Sequence, residues 1–212
     1  MNTSHRIFVY LLLNLMVISC AGISIKGKVE DGHYYSPLNN FSVPLRKAMG
    51  LRIQDQNDAD GGRVSFPDDW GYLEAITYVR IPAADSAMFT ATETRDQAYR
   101  TFISEYAMPV LFRSVSNEAE IIHEEFLGES SSRNYFAIVN IPNGSVTVDV
   151  KTNKRLDSVR GLLIFDKKGF IYMLESEMSY AVNPITAASN TSKQIGRTLT
   201  TLQNLKDSMI FK

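Results

Sequence analysis

The stretch SVRGLLIFDKKGFIYMLES, Ser158 to Ser176, decides the fold. Two apolar runs flank Asp166-Lys167-Lys168-Gly169. Runs of this length, rich in Leu, Ile, Phe and Tyr and bounded by a turn signal, read as strands. The turn folds the second strand back on the first, and Gly169 supplies the left-handed position of a bulged turn.

Working outward from that hairpin, AEIIHEEFLG (Ala119–Gly128) and NYFAIVNIP (Asn134–Pro142) read as a second strand pair, joined by a serine-rich loop. Asn143-Gly144 follows as a turn signal. GYLEAITYVRIP (Gly71–Pro82) has Leu73, Ala75, Thr77 and Val79 alternating with Glu74, Ile76, Tyr78 and Arg80, a strand with two partly buried faces. Shorter strands are expected at Phe41–Val43, after a turn at Pro37–Asn40, and at Arg63–Phe66. Between these blocks the period changes. Tyr99, Phe102, Ile103 and Tyr106 fall on one helical face, Thr94 and Gln97 have capping-box spacing, and Pro109 is expected to end the helical run or to lie near its end. At the C-terminus Ile195, Leu199, Leu202, Leu205 and Met209 form a second helical stripe. Strands, helix, strands, helix is an α+β pattern: a central antiparallel sheet with helices packed on it, one domain over residues 34–212.

Tyr35-Ser36-Pro37, Phe41-Ser42-Val43-Pro44, a long helix, strands closing on Gly169-Phe170-Ile171-Tyr172 and an amphipathic C-terminal helix together resemble the PsbP-like superfamily over roughly Tyr34 to Lys212. The superfamily takes its name from an extrinsic subunit of the photosynthetic oxygen-evolving complex. The resemblance implies an α/β/α sandwich and an accessory, binding style of function. The best-known member helps to retain calcium and chloride at another protein's metal site, but no motif here carries a metal ligand over. Gly50 to Gln54 also lacks the Pro-x-Gly-Trp step common in the superfamily.

The N-terminus has a different character. His5 and Arg6 precede an apolar run, Ile7 to Ser19, broken only by Asn14 and Ser19. Thirteen or so residues are too few to span a bilayer, which takes about 20. They suit the apolar section of a secretory leader. The run ends in VISC, Val17 to Cys20, which resembles a bacterial lipobox. That resemblance implies a diacylglyceryl group on the Cys20 thiol, cleavage between Ser19 and Cys20, and acylation, typically by palmitate, of the new amine. Cys20 is the only cysteine in 212 residues. It can form no internal disulfide and no thiolate metal site, so an anchoring role explains its position. Two other readings are cleavage after Ala21, which discards the cysteine, and an uncleaved anchor helix. The expected organisation is a leader (1–19), a lipidated tether (20–33) that reads as a linker with one short strand, and the domain. Ala21 after the cysteine resembles outer-membrane sorting in a Gram-negative cell; otherwise the outer face of the plasma membrane is expected.

Composition excludes some functions. A formal net charge of −1 provides no basic field for nucleic acid. Asp55, Asp58 and Asp60 make the one acidic loop with a calcium-like look, yet an EF-hand register starting at Gln56 has Gln at position 1 and Pro67 at position 12. A solvated turn explains these residues as well. Beyond the leader only His33 and His123 remain, and no G-x-S-x-G elbow accompanies them. Arg155 to Arg160 reads as an exposed ion-pair patch, and Phe66, Trp70 and Tyr72 as core or as a binding face. The expectation is a membrane-anchored bacterial lipoprotein, a non-catalytic accessory module of the cell envelope whose partner is another envelope protein, with no cofactor, metal or catalytic residue assigned. The alternatives are an envelope hydrolase using His123 or His33, and a small-ligand carrier.

Overall fold

The structure is a computed structural model that describes residues 25–45, 52–67, 73–129, 132–145, 148–179 and 191–212. Cys20, Ser19, Trp70, Tyr72 and the Gly50-Leu51 step lie outside the described residues.

Seven antiparallel strands form the central sheet: β4 (Gln54–Asn57), β5 (Gly61–Pro67), β6 (Leu73–Arg80), β7 (Glu120–Leu127), β8 (Asn134–Ile141), β9 (Ser158–Lys167) and β10 (Phe170–Ser179). Their spatial order is β4-β5-β6-β10-β9-β8-β7. The hairpin read from Ser158–Ser176 is β9–β10, which lies at the centre with β6 and β8 on its two sides. Its turn is tighter than expected. Phe170 pairs Lys167, leaving a two-residue loop in which Lys168 and Gly169 both have positive φ, 51° and 77°. No bulge is needed, because a loop of this mirror-image kind already matches the right-handed twist of the strands.

Successive residues of the central strands serve two cores. Tyr135, Ala137, Val139, Leu162, Ile164, Ile171 and Met173 face one layer; Phe136, Ile138, Leu163, Phe165, Phe170, Tyr172 and Leu174 face the other. The first layer is a 3-10 turn (Ala83–Phe89), helix α1 (Thr92–Phe102) and a wider-wound segment (Ile103–Phe112). Tyr99 ties α1 to the sheet, donating to Asp166 Oδ1 at 2.5 Å and accepting from the Asp166 amide at 3.0 Å. The second layer is helix α2 (Thr191–Ser208) with a small sheet, β1 (Lys28–Glu30), β2 (His33–Tyr35), β3 (Phe41–Pro44) and β11 (Ile210–Phe211). Leu202, Leu205 and Met209 are buried there, as their spacing requires. The result is a three-layer α/β/α arrangement, and the α+β reading holds.

One local expectation changes and two become specific. The N-cap of α1 is Ala91 with no side-chain cap, and Thr94 Oγ1 instead donates back to the carbonyls of Met88 and Ala91. Pro109 lies near the end of the helical run, which closes at Phe112. The chain widens from Ile103 to i→i+5 winding, closing with Arg113 N–H to Met108 O at 2.7 Å. An α-helical Pro109 would drive its ring into the carbonyl four residues back, and the wider turn relieves that clash. The short strand of the expected tether is β1, and the tether is docked from Ile25 onward. Residues 28–30 pair with β2, and Ile25 donates to Asn57 O at 3.3 Å.

Candidate functional site

The strongest charged constellation sits on the α1 face, toward one end of the sheet. Alternation along β10 carries Ile171 and Met173 into the apolar layer and then, at the same period, Glu175 and Glu177. The hairpin register sets Glu177 directly across from Arg160 and Glu175 across from Leu162. Arg63, on β5, reaches in across Thr77 of β6.

Both carboxylates are fully buried. Glu175 accepts from Arg63 Nη1 and Arg160 Nη1, each at 2.9 Å. Burial alone would raise its proton affinity. The two guanidinium groups outweigh burial and hold the Glu175 carboxyl below the ordinary glutamate range. Glu177 is in the weaker position. Arg160 Nη2 lies 3.0 Å from Glu177 Oε2, but the contact lacks hydrogen-bond geometry. Burial therefore pushes the Glu177 carboxyl up; Arg160 opposes the rise and the Glu175 charge adds to it. The Phe112 ring lies 5.7 Å from the Arg160 guanidinium. Two cations and two carboxylates close on each other beneath the helical layer. Within it each guanidinium faces a carboxylate, and both carboxylates are closed off from water.

Arg160 therefore corrects the expected exposed patch: it is buried, because its strand partner is Glu177 and not solvent. Arg155 is exposed, and Asp157 accepts the Asn143 amide at 2.8 Å. Phe66 is core.

The acidic loop is dispersed. Asp55 accepts the Gly27 amide at 2.6 Å and the Lys26 ammonium at 2.9 Å. Burial would raise its carboxyl, but these donors hold it below the usual range. Asp58 Oδ1 accepts the amides of Asp60 and Gly61 at 2.8 and 2.9 Å, an Asx turn. Asp60 lies 3.8 Å from Arg80 Nε. Each carboxylate answers a different protein donor, and no group of three metal-ligating side chains converges among the described residues.

The two histidines do not meet. His33, on β2, contacts the Asp31 carbonyl at 3.1 Å. His123, on edge strand β7, contacts Glu125 at 3.3 Å and leans edge-on against Phe136. A cavity of about 100 Å3 opens between Val43, Leu45, Phe66, Glu74 and Leu205. That is small beside the ~300–1,000 Å3 of a typical ligand pocket.

No family model matches the chain, and no curated protein does. Among solved structures it is similar to cyanobacterial PsbP (CyanoP) from Synechocystis sp. PCC 6803. The two share 14% identity at a TM-score of 0.47, covering 92% of this chain and 98% of that one. A Bacteroides thetaiotaomicron protein is similar at 9% identity and a TM-score of 0.41; 87% of this chain spans 49% of that one, about half its length. The sandwich itself rests on the strand order and the two cores described above.

Sequence reasoning missed the Arg63–Glu175–Arg160–Glu177 cluster. The signal was present in the hairpin. Once the turn is centred on Lys168-Gly169, Glu177 must face Arg160, and alternation then puts Glu175 and Glu177 on one face. Arg63 had no such signal, because the offset between β5 and β10 depends on β6 between them.

Proposed function

We propose that this protein is a bacterial lipoprotein, anchored through acylated Cys20, whose α+β domain is a non-catalytic accessory or binding module of the cell envelope with another envelope protein as its partner. The observation that carries the anchor is the junction. The lipobox-like VISC ends at Cys20, and the described fold is already engaged at Ile25, where the backbone bonds to Asn57. The charged clusters favour a binding role over a catalytic one. Arg63, Arg160, Glu175 and Glu177 are turned on one another under the helical layer, while His33 and His123 each make a local contact on separate strands.

Cys20→Ala tests the anchor. With a fatty-acid probe supplied to cells, the wild-type chain incorporates label and partitions into detergent. The variant should do neither and should accumulate as uncut precursor or as soluble protein. Equal labelling of the two sinks the reading. His33→Ala with His123→Ala tests the absence of imidazole chemistry. The doubly substituted chain should rescue a deletion strain, and loss of rescue by a folded, membrane-bound variant favours the hydrolase alternative.

A further inference from the structure

Residues 25–27 run alongside edge strand β4 as a strap. Ile25 N–H bonds to Asn57 O, and Asn57 Nδ2 returns a bond to Ile25 O at 3.0 Å. Two residues on, Gly27 N–H bonds to Asp55 Oδ2 at 2.6 Å, and Lys26 Nζ pairs with the same carboxylate. Asn57 is itself buried and accepts from Tyr78 OH at 2.7 Å. Gly27 lies so close to Tyr34 that an added Cβ would collide with the ring. The strap is thus locked at both its ends, and its direction is defined. Going from Gly27 back to Ile25, it follows β4 from Asp55 to Asn57, toward the Asp58–Asp60 turn.

We propose that this strap sets the attitude of the domain on a bilayer: the pole with the Asp58–Asp60 turn faces the lipid surface, and the pole with residues 142–145 and 148–157 faces away from it. The proposal rests on the Cys20 anchor argued above. Four residues separate Cys20 from Ile25, so the maximum reach from Cα to Cα is about 18 Å even when fully extended. The strands are longer than that. β10 has ten residues, about 30 Å from pole to pole. Its first residue pairs with Arg80, whose amide bonds to Asp60 O, so the β9–β10 turn shares the lipid-facing pole. Its last residue pairs with Ser158, which also pairs with Ile141, at the start of the outward pole. The lipid-facing pole mixes Asp58, Asp60, Arg80, Lys167 and Lys168, so covalent reach, and not attraction to anionic headgroups, sets the attitude.

The test separates this geometry from acylation in cells. Mature chain, Cys20 to Lys212, is joined at Cys20 to a maleimide phospholipid in phosphatidylcholine vesicles. A fluorophore is attached through an azide-bearing amino acid at Asp60 or at Val150, whose side chain is fully in solvent. With a quencher on the lipid headgroups, the fluorophore at position 60 should be strongly quenched and the one at 150 only weakly. Equal or reversed quenching overturns the proposal, as does a contrast that appears only when anionic lipid is added. Twelve Gly/Ser residues inserted between Gly22 and Ile23 should bring the two signals together, because a flexible coil of that length no longer restricts the pole. A contrast that survives the insertion would also overturn it. A chain found unacylated at Cys20 in cells would refute the lipoprotein reading and leave the tethered geometry as measured.

Discussion

The two ends of the α1 face of the sheet make an instructive pair. Both lie on the same two central strands, β10 and β9, at the same two-residue period. At the end nearer the β9–β10 turn the face is Ile171, Met173, Ile164 and Tyr135, and it packs against Tyr99 and Phe102. At the other end the period continues, but the residues are Glu175, Glu177 and Arg160, with Arg63 reaching in from β5. The first end needs only shape complementarity, and many apolar residues would serve. The second works only if every partner is present. In water these four ionic groups would be solvated; under the helical layer each depends on the others. An apolar core therefore loses stability in proportion to the volume removed, whereas a buried ionic cluster loses it by whole charges.

The sharpest break in this comparison is a charge placed in the apolar part. Leu202 is fully buried, in mid-stripe on α2, against the opposite face of the same sheet. Leu202→Asp removes the transfer energy of one leucine, ~1.5–3 kcal/mol, and adds a carboxylate with no designed partner. The combined cost should reach the several kcal/mol that a domain of this size has in total. Far-UV circular dichroism and a thermal melt should show an unfolded or only partly folded chain. A cooperative melt near the wild-type midpoint would mean that α2 is not docked.

Removing one partner from the ionic part comes next. Arg160→Met keeps much of the side-chain length and deletes the cation shared by Glu175 and Glu177. Glu175 retains Arg63, and Glu177 loses its one ion contact. The expected loss is about 3–5 kcal/mol, read as a lower urea midpoint at unchanged slope. Combining Arg160→Met with Glu177→Leu should recover a large part of it, because the orphaned charge leaves with its partner. If the double variant is as unstable as the single one, the cluster acts through packing and not through charge.

The difference between the two ends also accounts for what was readable. The hairpin, the buried two-faced strands, the C-terminal stripe and the α+β class follow from periodicity, a local property of the chain. β11 was not readable: two residues at the end of the chain have no period, and they become a strand only because β3 leaves an open edge for Ile210 and Phe211. The docking of Ile25–Gly27 was hidden for a similar reason, since it depends on Asp55 and Asn57 some 28–32 residues away. Arg160 misled because its neighbours Arg155 and Asp157 are exposed, and sequence proximity suggested the same for it. A cross-strand partner decides burial, and partners are read only after register is known.

The smallest effect should come from Glu177→Gln, and its pH dependence is the sharper reading. Glu177 is the member whose charge burial opposes, and its one contact with Arg160 lacks hydrogen-bond geometry. Glutamine keeps the shape and removes the charge, so the change in stability near neutral pH should stay within about 1 kcal/mol, as expected where a desolvation cost and an ion contact nearly cancel. The sign with pH follows from linkage. The folded-state proton affinity of Glu177 is raised, so its protonation contributes stability that is fully present below the ordinary glutamate value, ~4.3, and is lost as pH rises through its higher folded value. Glu175 has the opposite shift. Its contribution is present above ~4.3 and is lost as pH falls through its depressed folded value. Urea midpoints measured upward from about pH 4 should therefore fall more steeply in the wild type than in Glu177→Gln, with the difference confined to the window above the ordinary glutamate range. Parallel profiles would show that Glu177 titrates like a solvated carboxylate and does not belong with the buried ions of this face.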